Sequence, residues 1–223
     1  MDLIIRNALL RGNKETQDIG IKDGKIQKIK KNIKDKTKKE IEADGKLVTE
    51  SFCNAHLHLC KVYTLQMMDE EALKSYHGSD MGAAMTAIEL AARVKEKYAV
   101  DWIIKNVRKA LALAALNGNT HIRAFADVDS KAKLIGIEAL LQAKKEFKDI
   151  VDIQVVAFPQ DGVVREPGTE KLIDQAMKMG ADVVGGIPWI EFTEADEQSH
   201  IDAMMKIAKK YDKDISMLVD DAG

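Results

Sequence analysis

Two histidines one residue apart, His56 and His58, lie in the run Phe52-Cys53-Asn54-Ala55-His56-Leu57-His58-Leu59 and are the side chains of this sequence best suited to chemistry. Side chains alternate along a strand, so a strand here would put both imidazoles on one face. Imidazole suits Zn²⁺ and Fe²⁺, and two such donors at the end of a buried strand could share one ion. The same pair could instead be two solvated histidines on a strand edge. The apolar flanks, and the position in the first strand after a small β unit, favour the ligand reading. His77, His121 and His200 stand apart from other such groups and are assigned no role.

The elements that must position this pair fall into two blocks. Residues 1–50 read as a small β-domain. Leu3-Ile4-Ile5, Ile19-Gly20-Ile21 and Ile26-Gln27-Lys28-Ile29 are short apolar or alternating runs, and Asp23-Gly24-Lys25 is a hairpin signal. Glu40-Ile41-Glu42-Ala43 meets a second turn signal, Asp44-Gly45. The lysines from Lys22 to Lys46 read as solvated strand edges and turns, with an anionic-surface role as the alternative.

Residues 51–223 alternate strand and helix. Strands are predicted at Phe52–His56, His121–Val128, Val151–Phe158, Ala181–Pro188 and Ile215–Val219. Helices are predicted over 81–98 and 101–116, from a cap at Asp129 or Ser130 to Phe147, from Thr169 to Met179, and from a Thr193 cap to Tyr211. This alternation means parallel βαβ units and an α/β fold. An eight-fold barrel needs about 250 residues, so five strands after Phe52 are expected to be a partial (β/α)₈ TIM barrel, cut off after strand 5. A complete five-stranded doubly wound sheet is the competing architecture, but it normally ends in a helix.

Composition narrows the class. Of 223 residues, 46% are hydrophobic and 31% charged, which suits a packed globular chain rather than a disordered one. No run approaches the ~18–20 apolar residues of a membrane span, and MDLIIRNALL carries no signal-peptide pattern. Lys+Arg is 34 against Asp+Glu 36, so the basic excess of a nucleic-acid binder is missing. Cys53 and Cys60 make no disulfide framework, and a reducing cytoplasm is the expected location.

The sequence resembles the metal-dependent amidohydrolase superfamily, and within it the cytosine deaminase group. The likeness runs through Asp2-Leu3-Ile4-Ile5-Arg6-Asn7-Ala8, Asp18–Ile26, Asn54–Leu59 followed by Lys61, Val155–Gly162 and Gly180–Pro188 with Glu191-Phe192-Thr193, essentially the whole chain. It implies a barrel enzyme with one divalent metal ion, Zn or Fe, held in part by His56 and His58. The ion would lower the pKa of a water for hydrolytic deamination of cytosine or a related aminopyrimidine or triazine. The resemblance makes Gln160, otherwise a solvated loop residue, the group that bonds the substrate's amide edge. It implies a homo-oligomer, a small N-heterocycle as partner, and no nucleic acid or membrane.

Three departures qualify this. Leu218 stands where the family has a metal-binding His. Asp221 stands at the position of the proton-shuttling Glu, and is shorter by one methylene. Cys60 replaces an Asp after His-x-His-Leu, either as a substitute ligand or as a small buried hydrophobe. The family's remaining ligands come from later strands, so the chain alone is expected to hold an incomplete, inactive site. The alternatives are an amidohydrolase with a rearranged metal site acting on a different C–N bond, and a catalytically inactive binding relative. Trp189 and Phe192, after the fourth strand, either wall an aromatic pocket or anchor a loop.

Overall fold

The computed structural model describes residues 1–67 and 93–219. It divides into two compact units, Met1–Ser51 and Phe52–Gly223.

The first unit is a five-stranded sheet. β1 (Leu3–Leu10) lies between β2 (Thr16–Lys22) and β4 (Lys39–Glu42), β3 (Lys25–Lys30) pairs with β2, and β5 (Leu47–Val48) pairs with β1. The β2–β3 hairpin turns on Asp23 and Gly24, whose φ angles are 52° and 70°. Both central residues of the favoured two-residue hairpin turn need positive φ, which is why Asp-Gly serves here. Arg6 ties the unit together: its guanidinium donates to Asp18 (2.6 Å), to the Ile33 carbonyl (2.6 Å) and to Glu40 (2.5 Å). Every residue of the lysine-bearing β3 is exposed, as solvated strand edges require.

The second unit is a curled, wholly parallel sheet, half of a barrel. Its order is β10-β9-β8-β7-β6, with β6 at Phe52–Leu57, β7 at Asn119–Asp127, β8 at Asp152–Phe158, β9 at Val183–Gly186 and β10 at Asp214–Met217. The connections carry α1 (Val100–Leu116), α2 (Ile135–Glu146), α3 (Thr169–Met179) and α4 (Glu194–Tyr211). Alternation divides the strands between two apolar layers. Ile122, Ala124, Ala126, Ile153, Val155, Ala157 and Val184 join the core shared with the helices. Phe125, Val156, Phe158 and Val183 form a second cluster on the other face with Ile187 and Ile190. Burial on both faces of β8, β9 and the carboxyl half of β7 explains their near-continuous apolar runs, while the edge strand β6 has no buried residue.

Two predicted boundaries move clearly. Asp129 does not cap α2. Its Oδ1 accepts from the N–H of Lys131 (2.9 Å) and Ala132 (2.8 Å), which closes a separate turn. Lys133, at φ 50°, then breaks the path before the helix begins at Ile135. β9 is shorter than Ala181–Pro188, because Pro188 opens a 3₁₀ turn that runs to Ile190. The predicted helix over 81–98 falls mostly outside the described residues. Thr193 does cap α4, accepting from the Asp196 N–H at 3.2 Å.

Close approach of β9 to β8 requires Gly185. A Cβ there would stand 2.7 Å from the Ala157 carbonyl oxygen and 2.9 Å from Phe158 Cα. Gly185→Ala should lower the unfolding free energy by about 2–3 kcal/mol in a urea titration. A variant as stable as the parent would contradict this packing.

Candidate active site

The site is a row of side chains at the carboxyl ends of successive parallel strands: His58 just past β6, Asp127 at the end of β7, Gln160 two residues past β8 and Trp189 after β9. Residues there emerge from an apolar sheet without burying polar groups within it, and active sites of parallel α/β folds use that end.

β6 does not reach the site as a regular strand. Its register against β7 slips between Asn54 and Leu57, where three steps on β6 match two on β7. The bulge is closed by Asn54 Oδ1, which accepts from the His56 N–H at 3.2 Å. The structure nevertheless brings the two imidazoles together. Their ring centroids are 5.1 Å apart; His56 stacks on Phe125 at 4.2 Å, and His58 sits edge-on to Phe158 at 5.3 Å. The two phenylalanines of the inner cluster are thus the floor beneath both rings.

The pair has the spacing to share an ion. With Zn–N bonds of about 2.0–2.1 Å in tetrahedral geometry, the centres of two ligating imidazoles would stand roughly 5 Å apart. Among the described residues, no group of three or more His, Cys, Asp and Glu side chains is placed to hold a metal.

Cys60 points elsewhere. The chain leaves β6 after Leu57 and winds into a 3₁₀ turn, Leu59–Lys61, so strand alternation no longer applies. Cys60 enters the helix-side core, where its Sγ accepts from the Asp127 N–H at 3.3 Å. Burial, helped by the charge of Asp127, pushes its thiol up to about 12. A protonated, buried thiol is a packing group.

A charged network that the sequence did not announce lies beside the histidines. Asp127 is fully buried. Its Oδ1 faces His58 Nδ1 at 3.4 Å, and its Oδ2 lies 3.1 Å from Lys61 Nζ and 3.3 Å from Lys95 Nζ, in ion-pair contacts whose angles make no hydrogen bond. Burial opposes ionisation of Asp127, but the two ammonium groups hold its carboxyl well below the usual range. Burial, and then the charge of Lys61, lower the pKa of His58 against the pull of Asp127, which favours the neutral ring. Lys95 is 3% exposed and also donates to Asp129 and Asp161, each at 2.7 Å. Burial raises the pKa of Asp161 against the charge of Lys95.

Gln160 is buried, not a solvated loop residue, and its side chain is oriented. Lys61 Nζ donates to its Oε1 at 2.7 Å. An ammonium group only donates, so the carbonyl end of the amide must face it, leaving the Nε2 hydrogens on the other side. The loop bearing Gln160 is pinned by Glu191. This buried carboxylate accepts from the N–H of Val163 (2.6 Å), Val164 (3.2 Å) and Arg165 (2.8 Å), and pairs with His200 Nδ1 at 2.7 Å. His200, given no role from the sequence, is fully buried, and its Nε2 accepts from the Ile187 N–H at 3.1 Å. Gly162, at φ 99°, passes so close that a Cβ would stand 3.0 Å from both Glu191 oxygens.

The remaining expected residues lie at the margins or beyond. Leu218 donates its N–H to the Gly186 carbonyl at 2.9 Å and packs with Trp189 against the inner cluster. Trp189 is partly buried and its Nε1 has no hydrogen-bond partner among the described residues. Phe192 is exposed, with the Arg165 guanidinium 5.2 Å from its ring centre. Asp221 lies outside the described residues.

Comparison with known proteins fits this arrangement. Residues 39–223 match the sequence model of the amidohydrolase family, and the chain belongs to that family. The whole chain is 37% identical to N-isopropylammelide isopropyl amidohydrolase of Pseudomonas sp. (strain ADP), covering 54% of that protein. Among solved structures, 97% of the chain superposes on 51% of 5-methylcytosine deaminase from Klebsiella pneumoniae liganded with 5-fluorocytosine, with a TM-score of 0.81 and 28% identity. N-isopropylammelide isopropylaminohydrolase from Burkholderia multivorans gives a TM-score of 0.69 at 26% identity over 97% of the chain and 53% of that structure. The chain thus spans about half the length of these relatives.

Replacing Glu191 tests the loop anchor. Glu191→Gln turns one acceptor oxygen into a donor facing N–H groups and should cost about 2–3 kcal/mol by denaturant unfolding. Burial opposes ionisation of Glu191, but the three N–H groups and His200 hold its pKa below the ordinary value. Its ionised contribution is therefore complete above the unfolded value of about 4.3 and is lost as pH falls through the lower folded value. The parent's advantage over Glu191→Gln should shrink on acidification from about pH 6 to about pH 3; a pH-independent difference would contradict the anchor.

Proposed function

We propose that this protein is a metal-dependent hydrolase of C–N bonds, acting on a small nitrogen heterocycle of the aminopyrimidine or triazine type. The observation that carries the reading is the 5.1 Å spacing of the His56 and His58 rings at the carboxyl end of β6. Their neighbours and the relatives support it: the named substrates of those relatives are such heterocycles.

His56 and His58 would hold one divalent ion, zinc or iron, with further ligands from outside the described residues. When bound, the ion supplies Lewis acidity and a nucleophilic water at neutral pH. The chain's own residues orient the substrate. With Gln160 Oε1 taken by Lys61, its Nε2 hydrogens are offered to an acceptor on the heterocycle, while Trp189 and Phe192 follow the next strand, β9, at the same end of the sheet. The proton shuttle is assigned to Asp221, a carboxyl group suited to general acid–base work. The protein is assigned to the cytoplasm as a homo-oligomer, each chain made of a small β-domain, residues 1–50, and a barrel domain, residues 51–223. No helix among the described residues is long and apolar enough to cross a membrane.

Leu218 favours a second reading, an amidohydrolase whose metal site is rearranged. Its side chain has no lone pair to offer an ion and packs into the inner apolar cluster. Turnover of a different C–N substrate would select it.

Zinc titration against a chromophoric chelator tests the metal assignment. The parent should bind one ion, and His56→Ala and His58→Ala should each weaken binding by at least ~10-fold. Undiminished affinity in both variants would overturn it. Ammonia or alkylamine release by the full-length protein from a panel of aminopyrimidines and N-alkylated triazines then separates the substrate classes.

A further inference from the structure

We propose that Asp127 is a positioning residue for His58: it holds the imidazole in the Nδ1–H form and so presents Nε2 as the electron-pair donor. The metal half of this inference rests on the function proposed above; the tautomer half does not.

The argument starts from what each atom near Asp127 can do. Lys61 and Lys95 only donate, and both lie on Oδ2, at 3.1 and 3.3 Å. They neutralise the carboxylate and occupy that side of it. Oδ1 is left facing His58 Nδ1 at 3.4 Å. An ionised carboxylate only accepts, so the ring nitrogen it faces must carry the hydrogen. In a neutral imidazole the other nitrogen then holds the lone pair. A ligating histidine commonly hands its second N–H to a carboxylate in this way, which fixes both ring orientation and tautomer.

The arrangement is held from several directions. Asp127 is 0% exposed and fixed by its place at the end of β7, with its own N–H donated to Cys60 Sγ at 3.3 Å. Lys95 is anchored in turn by Asp129 and Asp161. Lys61 also grips Gln160, so one cation touches both the group that orients His58 and the amide assigned to substrate. Phe125 and Phe158 pack against the ring of His58 at 5.5 and 5.3 Å and limit its rotation.

The substitution Asp127→Asn reverses the polarity with almost no change of shape. The two ammonium groups would claim the amide oxygen, turning its NH₂ toward His58. Nδ1 would then have to accept, and the hydrogen would move to Nε2.

Side-chain ¹⁵N NMR of the metal-free chain, above the pH of imidazole protonation, reads the tautomer directly. The His58 signals are assigned by their loss in His58→Gln. The parent is expected to show a protonated Nδ1 and an unprotonated Nε2, and Asp127→Asn the reverse. Zinc affinity of folded Asp127→Asn should fall about 10–100-fold, with the far-UV circular dichroism of the parent. A parent His58 protonated on Nε2 would overturn the inference without any variant, as would an unchanged tautomer and zinc affinity in folded Asp127→Asn. A parent with the Nδ1–H form that binds no zinc would uphold the positioning of His58 and refute the metal reading instead.

Discussion

Parallel strands buried on both faces, as β8, β9 and the carboxyl half of β7 are, can release polar side chains only at their ends, and this constraint organises the second unit. Helix-side residues such as Ala124, Val155 and Val184 and inner residues such as Phe125, Val156 and Val183 leave no room for a charge in the carboxyl halves of β7 to β9, whereas Arg123 and Gln154 pair at 2.6 Å nearer the amino ends of β7 and β8. His58, Asp127 and Gln160 therefore appear at or just past strand ends, where the backbone turns away from the ladder. The inner phenylalanines then serve the site as well as the core, since both imidazoles rest on Phe125.

Burying Asp127 costs free energy unless the charge is matched, and a lone buried carboxylate would protonate. Two lysines at about 3 Å match it, and Lys95 is itself matched by Asp129 and Asp161. A network of this kind is weak evidence for net stability, because desolvation offsets most of the attraction. Its consequence is geometric: it joins the 3₁₀ turn after β6, the end of β7 and the loop after β8. Glu191 and His200 give the β8 loop a second, independent attachment.

Much of the fold was legible because local patterns and packing agree. The alternating runs, the Asp23-Gly24 turn and the Thr193 cap all say locally what the tertiary structure requires. The proximity of His56 and His58 was legible from their spacing, although the bulge at Asn54–Leu57 means that simple alternation was not the whole reason. For Cys60 the sequence leaves two readings open, substitute ligand or small buried hydrophobe; the 3₁₀ turn after His58, which nothing local marks, carries it into the helix-side core and decides for the second. Asp127, Lys95, Glu191 and His200 were invisible as a site, because their meaning lies in contacts across tens of residues. The signal that could have been read is Ala126-Asp127-Val128-Asp129, where acidic residues interrupt an apolar strand at its carboxyl end.

The central claim is that His56 and His58 meet at one metal ion. X-ray absorption fine structure at the zinc edge, on the stoichiometrically loaded chain, tests it most directly. The account requires two imidazoles in the coordination shell at about 2.0–2.1 Å, with one lost in His58→Ala. A shell of light oxygen scatterers without imidazole, unchanged in that variant, would contradict it.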